Sequence, residues 1–244
     1  MPPSTVVWHA NGSCGMDPSP AQTAPPLALW GVGTARALRV HWMLTELGLT
    51  YRSYRIQSRT GETMTPEYLR LNPRHKIPLL QHDGLSLTES AAIIQYLSER
   101  FPVPATFCAP TDAVSRAKVF EWCYFIINEL DGHTLYVIRR HVGLKHIYGE
   151  APAAVESAKV YCREQIEALA PRFDATNGHY LLGEQISVAD ILLTTCLDWA
   201  LSAGIPLPEA VHAYLDRIHR RPAFQEASRR NDPSTPPLLE KRNA

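Results

Sequence analysis

Asn72-Pro73-Arg74-His75-Lys76-Ile77-Pro78-Leu79-Leu80-Gln81-His82-Asp83-Gly84-Leu85-Ser86-Leu87-Thr88-Glu89-Ser90-Ala91-Ala92-Ile93 carries the fold in one run. A helix ahead of it must end before Asn72-Pro73, because proline pushes the preceding residue out of helical space. Ile77 to Gln81 and Leu85 to Leu87 are short apolar runs, and His82-Asp83-Gly84 between them signals a hairpin. From Ser90 a helix runs through Ile93, Ile94 and Leu97 and stops at Phe101-Pro102.

Upstream, Thr65-Pro66-Glu67 reads as an N-cap, a proline at the first helical position and an acid in the first turn. Tyr51 to Ile56 has strand composition. Val40, Leu44 and Leu47 recur at helical spacing ahead of Gly48, a C-terminal stop. Before them, Leu27-Ala28-Leu29-Trp30 fits a buried strand and Gly31-Val32-Gly33-Thr34 a turn into the helix. The order over residues 27–101 is therefore β-α-β-α-β-β-α. Residues 102–111 hold three prolines and read as a linker. Residues 112–230 read as all-helical, with segments at 112–140, 152–174, 187–203, 208–220 and 222–229. Residues 231–244 read as a tail. Residues 1–26 hold six of the twenty prolines and one charge, Asp17, and are expected to be disordered.

The 244 residues are 45% hydrophobic and 20% charged, with 24 basic against 24 acidic side chains. That balance argues against a nucleic-acid binder. No run of 18 apolar residues suggests a membrane span, and no Lys or Arg precedes Arg36, so no secretory signal is expected. Cys14, Cys108, Cys123, Cys162 and Cys196 are scattered without a CxxC, which reads as reduced thiols in a cytoplasmic protein. His133, His141 and His146 lack the tight spacing of a zinc site, so no metal is expected.

Three motifs, in order and spacing, resemble the glutathione transferase superfamily. Asn72 to Pro78 is similar to its N-P-x-x-[KQ]-[IV]-P, Leu87 to Ile93 to its L-x-E-S-x-A-I, and Ser187-Val188-Ala189-Asp190 to its helical-domain S/T-x-x-D box. Arg36 to Leu44 resembles the first helix of the bacterial relatives of the Theta, Phi and Tau classes. The resemblance implies a thioredoxin-like α/β N-terminal domain followed by an all-α C-terminal helical domain. It also implies a homodimer, and glutathione as co-substrate with no prosthetic group.

It further implies roles for individual residues. Ile77-Pro78 is expected to be cis, presenting the Ile77 backbone to the cysteinyl part of glutathione; extended backbone recognises extended backbone. Ser90 and the helix N-terminus behind it suit the γ-glutamyl carboxylate, and Glu89 the ammonium. Lys76 suits the glycine carboxylate. Thr63 and Met64 stand where some relatives carry another basic residue, which leaves Arg74 or His75 to compensate. Ser187 and Asp190 read as a capping box that serves folding. Thr34 falls where those classes carry the serine that activates the thiol; Arg36 is the fallback cation if the register is one residue off, at Ala35. Phe120, Tyr124 and Asn128 share a helix face and form the expected acceptor wall.

The leading function is conjugation of glutathione to a small apolar electrophile. A non-catalytic glutathione-binding or interaction module, and a glutathione-dependent peroxidase or reductase, are the alternatives. The reductase would want a cysteine at position 34.

Overall fold

The computed structural model describes residues 27–173 and 179–235. The proline-rich extension 1–26 lies outside them, as do residue 174 of the expected second long helix and residues 236–244.

Four strands, β1 (Leu27–Trp30), β2 (Arg52–Tyr54), β3 (Leu79–His82) and β4 (Leu85–Thr88), form one sheet in the order β2-β1-β3-β4. β1 runs parallel to β2 and antiparallel to β3, and β3 pairs antiparallel with β4. The β3–β4 turn is Asp83-Gly84, both at positive φ, so His82 faces Leu85 across a two-residue hairpin. β1 alternates: Leu27 and Leu29 enter the main core, while Trp30 joins Tyr68 and Leu79 in a second, smaller one on the opposite face.

Between the strands lie α1 (Ala35–Glu46), α2 (Pro66–Leu71) and α3 (Ser90–Arg100). Thr34 Oγ1 accepts from the Ala37 N–H at 3.0 Å and caps α1. Thr65 Oγ1 caps α2 at 3.2 Å from the Tyr68 N–H, with Pro66 at the first helical position. Two expected strands are shorter than their apolar runs. β2 covers only Arg52–Tyr54 of 51–56, and β3 begins at Leu79 because Pro78 has no N–H to give a ladder.

The helical domain contains α4 (Ala113–Phe125), α5 (Tyr136–His141), α6 (Lys145–Tyr148), α7 (Pro152–Leu169), α8 (Val188–Ser202), α9 (Glu209–His219) and α10 (Pro222–Asn231). Asp112 and Ser115 cap α4 reciprocally. The single helix expected over 112–140 is interrupted: Ile126–Leu135 is wound as a π-helix. Gly132 lies in this widened stretch, where an added Cβ would come within 3.2 Å of the Ile127 carbonyl. α8 is the buried axis of the domain. Asp190 caps it with Ser187 and also accepts from the Leu181 N–H at 2.9 Å and the Tyr214 hydroxyl at 3.0 Å. Burial still pushes its carboxyl pKa upward.

One apolar cluster runs through both domains, joining Leu29, Val40 and Ile93 to Ile126, Leu192 and Cys196. α1 is its hinge-pin, packed against α3, α8 and α10. Glu46 at the end of α1 takes Arg221 bidentately at 2.9 and 2.8 Å, and the Trp42 indole N–H as well. α10 ends at Asn231, one residue into the expected tail.

Candidate active site

A cleft of about 660 Å³ opens between the sheet domain and the helical domain. Thr34, Lys76, Ile77, Pro78, Glu89 and Ser90 all line it, with Tyr124 and Asn128 on the facing wall.

The Ile77 edge is built by Asn72. This buried side chain donates from Nδ2 to the Lys76 carbonyl at 2.7 Å and accepts the Arg74 N–H on Oδ1 at 3.1 Å. The Tyr68 hydroxyl donates to the same carbonyl at 2.6 Å. An amide, with a donor and an acceptor, can hold both ends of such a loop. The Ile77-Pro78 bond is cis. Gly31, at φ +121°, lies against Ile77; a Cβ there would sit 2.6 Å from the Ile77 Cβ.

At the start of α3, Ser90 is buried and its Oγ accepts from Arg39 Nη1 at 3.2 Å, which leaves its own proton free. Glu89 holds φ +68° and ψ +109° without being glycine. Such a conformation costs about 1–3 kcal/mol and clusters at functional sites. The Glu89 carboxylate is exposed and ion-paired with Arg74 at 3.1 Å. Arg74 also donates to the Thr88 hydroxyl. Thr63 is buried and Met64 exposed in a short turn (Glu62–Met64) outside the cleft lining; Arg59 supplies the further cation on that side.

Thr34 stands at the N-terminus of α1. Its Oγ1 accepts the capping bond, so its hydroxyl proton can still be donated into the cleft. Residues of α10 and beyond hold this loop. The Gly33 N–H donates to the Asn231 carbonyl at 2.8 Å and to its Oδ1 at 3.1 Å, and Asn231 Nδ2 donates to the Thr34 carbonyl at 3.2 Å. Gly33, at φ +77°, is in contact with Pro233; a Cβ would lie 2.7 Å from its Cγ. Arg55 donates to the carbonyls of Arg230 and Asp232. His41 beneath the loop bonds the Gly31 carbonyl at 3.1 Å and the Tyr51 hydroxyl at 2.7 Å, and burial lowers its pKa to about 4.

Phe120 corrects the expected acceptor wall. It lies one turn before Tyr124, their rings 5.9 Å apart, and packs on the core instead of lining the cleft. Tyr136, Arg139 and Trp199 take part in the wall in its place. Tyr136 and Trp199 keep part of that wall apolar, and Arg139 adds a charge to it.

Arg39, which carries no role in the sequence reading, is fully buried at the centre of the site. It donates to Thr195 Oγ1 at 2.7 Å, Asp131 Oδ2 at 2.7 Å and Ser90 Oγ. Arg36 pairs with the other oxygen of Asp131. Burial alone would raise the Asp131 pKa, but the two guanidinium groups outweigh it and hold the carboxyl below its ordinary value. An arginine on the apolar face of α1, beside Val40 and Met43, was the available signal.

None of the described cysteines lines the cleft, and burial pushes the Cys123 and Cys196 thiols up to about 11 and 12. Among the described residues no group of His, Cys, Asp and Glu is placed to hold a metal, and no helix is long and apolar enough to cross a membrane.

Residues 25–99 match the glutathione S-transferase N-terminal domain and residues 131–222 the glutathione S-transferase C-terminal domain. The chain belongs to the glutathione S-transferase family. The transferase GstA of Escherichia coli O157:H7 is 31% identical over 166 residues, 66% of this chain and 76% of GstA. A probable maleylacetoacetate isomerase 2 of Drosophila melanogaster is 28% identical, over 86% of this chain and 89% of its own. The glutathione-bound theta-class transferase of Xanthomonas axonopodis pv. citri superposes with a TM-score of 0.70 at 25% identity, covering 84% of this chain and 97% of that one. The transferase architecture, a small thioredoxin-like sheet domain followed by a helical domain, is the one this chain adopts.

Proposed function

We propose that the protein is a glutathione transferase that binds glutathione along Ile77, activates its thiol at Thr34 and joins the sulfur to a small electrophile. The observation that carries this reading is the hydroxyl of Thr34 at the start of a twelve-residue helix, lining the same cleft as Ile77, Glu89 and Ser90. In this reading Ser90 and the α3 N-terminus take the γ-glutamyl carboxylate, Glu89 takes the ammonium, and Lys76 takes the glycine carboxylate.

A free thiol with a pKa near 8.5 is only a few per cent thiolate at neutral pH. Lowering it by about two units needs about 2.7 kcal/mol of preferential thiolate stabilisation. A hydroxyl hydrogen bond and a helix N-terminus supply an amount of that order. The thiol proton leaves to solvent, the carbon–sulfur bond forms and the electrophile's leaving group departs with its electron pair. No protein atom is bonded to the substrate, and the protein contributes thiolate stabilisation and positioning.

The same reading has the protein working as a cytoplasmic homodimer. Leu85 on the edge strand β4 and Val114 and Tyr124 on α4 are large exposed apolar side chains that a second copy would cover. Light scattering at micromolar concentration checks it, and a monomeric mass contradicts it.

Thr34→Ala and Thr34→Ser test the chemistry. In a chloro-dinitrobenzene assay at pH 6.5, Ala should lower kcat far more than it raises the glutathione KM, and Ser should keep most activity. The Ala defect should shrink as pH rises toward 9, where the thiol ionises unaided. Full activity of the Ala variant across that range refutes the role of Thr34. Retention on immobilised glutathione without turnover by the wild type would favour the non-catalytic module.

A further inference from the structure

Six cationic side chains line the cleft, Arg36, Arg39, Arg59, Arg74, Lys76 and Arg139, against two carboxylates, Glu89 and Asp131. Arg36 and Arg39 share Asp131, and Arg74 holds Glu89. Among the described residues, Arg59, Lys76 and Arg139 face the cleft without an ion-pair partner. Glutathione as a thiolate brings two carboxylates, one ammonium and the sulfur anion. Its glycine carboxylate occupies Lys76, and its remaining charges meet Ser90, Glu89 and Thr34. Roughly two cations, the exposed Arg59 and the half-buried Arg139, then remain unmatched, and Arg139, partly withdrawn from water, attracts an opposite charge more strongly than it would in bulk solvent.

The placement of these two is specific. Arg139 is half-buried on α5, in the helical domain, with its guanidinium 5.9 Å from the Trp199 ring centroid. Arg36, already neutralised, lies 4.7 Å from the Tyr136 ring on the same wall. Burial first, then the nearby charges of Arg59 and Arg36, lower the Arg139 pKa, as expected of a cation among cations. Arg59 sits across the cleft, in the loop between β2 and α2, and lowers the Tyr148 hydroxyl pKa by its hydrogen bond. Tyr136 and Trp199 provide a flat apolar surface between cationic groups.

We propose that the acceptor is an anionic electrophile, a carboxylate-bearing molecule whose anion is held by Arg139 and Arg59. This rests on the transferase reading above and names its substrate class. Glutathione and acceptor would then occupy two anion sites on one cleft, with the reacting carbon between them. With an aryl chloride, the thiolate sulfur bonds to the chlorine-bearing carbon, the C–Cl bond breaks, chloride leaves with the pair, and the thiol proton passes to solvent.

The test compares 4-chloro-3,5-dinitrobenzoate with its methyl ester, which share reacting carbon and leaving group. Each kcat/KM is divided by the uncatalysed rate. The wild type should prefer the acid by about tenfold or more, the size of one charge-assisted contact. The preference should fall with added salt. Arg139→Gln should reduce the acid-to-ester ratio by about tenfold, and Arg139→Lys should restore part of it. An acid-to-ester ratio near one in the wild type, or equal losses on both substrates in Arg139→Gln, overturns the proposal. Should glutathione bind while neither chloride is turned over, the transferase reading fails by itself. The anion site is then read by calorimetry with the two preformed S-aryl glutathione conjugates. A tighter carboxylate conjugate supports it, and equal affinities overturn it.

Discussion

On the sheet-domain wall of the cleft, the groups that face the open space are the Ile77 strand end, the Ser90 helix start and the Thr34 cap, with the long side chains of Arg36, Arg39, Arg59, Arg74 and Lys76 around them. On the helical-domain wall they are the long side chains of Tyr136, Arg139 and Trp199. The first wall is assembled within runs of a few residues, each with its own local rule. The second is assembled across the fold, as in the Arg39–Thr195 and Arg36–Asp131 contacts. A wall made of backbone can hold one shape of ligand for many homologues. A wall made of long side chains can change its chemistry by single substitutions, and here it sets aromatic rings beside one cation, Arg139, and one carboxylate, Asp131.

The largest expected break in this division is at Arg39, which ties the two walls together. Arg39→Leu leaves Asp131 buried with only Arg36, and unfolding in urea should show a loss of about 3–5 kcal/mol. The glutathione KM should rise with it, because Ser90 loses the guanidinium that orients it. A variant as stable as wild type would show the two walls to be independent.

His41 ranks next and concerns the sheet wall alone. Its folded pKa of about 4 lies below the ordinary 6.5, because burial disfavours the charged ring. Its contribution is therefore complete above pH 6.5 and is lost as pH falls through 4, amounting to about 3 kcal/mol. The acid limb of a pH–stability curve should be shallower in His41→Gln; an unchanged limb assigns the acid sensitivity elsewhere.

Asn231→Ala removes two side-chain hydrogen bonds, with the Gly33 N–H and the Thr34 carbonyl, and leaves the bond from the Gly33 N–H to the backbone carbonyl at 231. Turnover at pH 6.5 should fall about fivefold while the melting temperature moves by only a few degrees. Equal turnover would mean that the Thr34 loop holds itself.

The smallest effect is expected at Glu89. Exposed and shared with Arg74, it should contribute to glutathione affinity only about two- to fivefold, by calorimetry of Glu89→Gln. A loss of a hundredfold would mean that the carboxylate is dry when the ligand is bound.

The sequence discloses turns and caps in both domains because each follows a short-range rule. Thr65-Pro66 must start a helix, Asp83-Gly84 must turn, and Ser187 with Asp190 must cap, and all three do so. The strained φ of Glu89 has no such marker, since glycine would have announced it and glutamate does not. The helix over 112–140 is apolar at helical spacing whether its carbonyls bond four or five residues ahead, so its π-wound middle is silent in the pattern. Phe120 precedes that stretch in regular helix with its ring beside that of Tyr124, and it misses the cleft because it sits one turn earlier and packs on the core. Arg139 and Arg59 are surface cations by composition, and only the fold makes them neighbours of one cleft.

The contact of Asn231 and Pro233 with Gly33 joins residues about two hundred positions apart. On the ribosome, the sheet, α1 and α3 can all form while the loop at Thr34 still lacks the partners that hold it. A nascent chain paused after α9 would carry the Ile77 edge and the start of α3 without the contacts that hold the Thr34 loop. Those contacts would arrive late, with a few residues, and not in proportion to the length made. An insertion directly after Pro233 would lie beside the Thr34 loop.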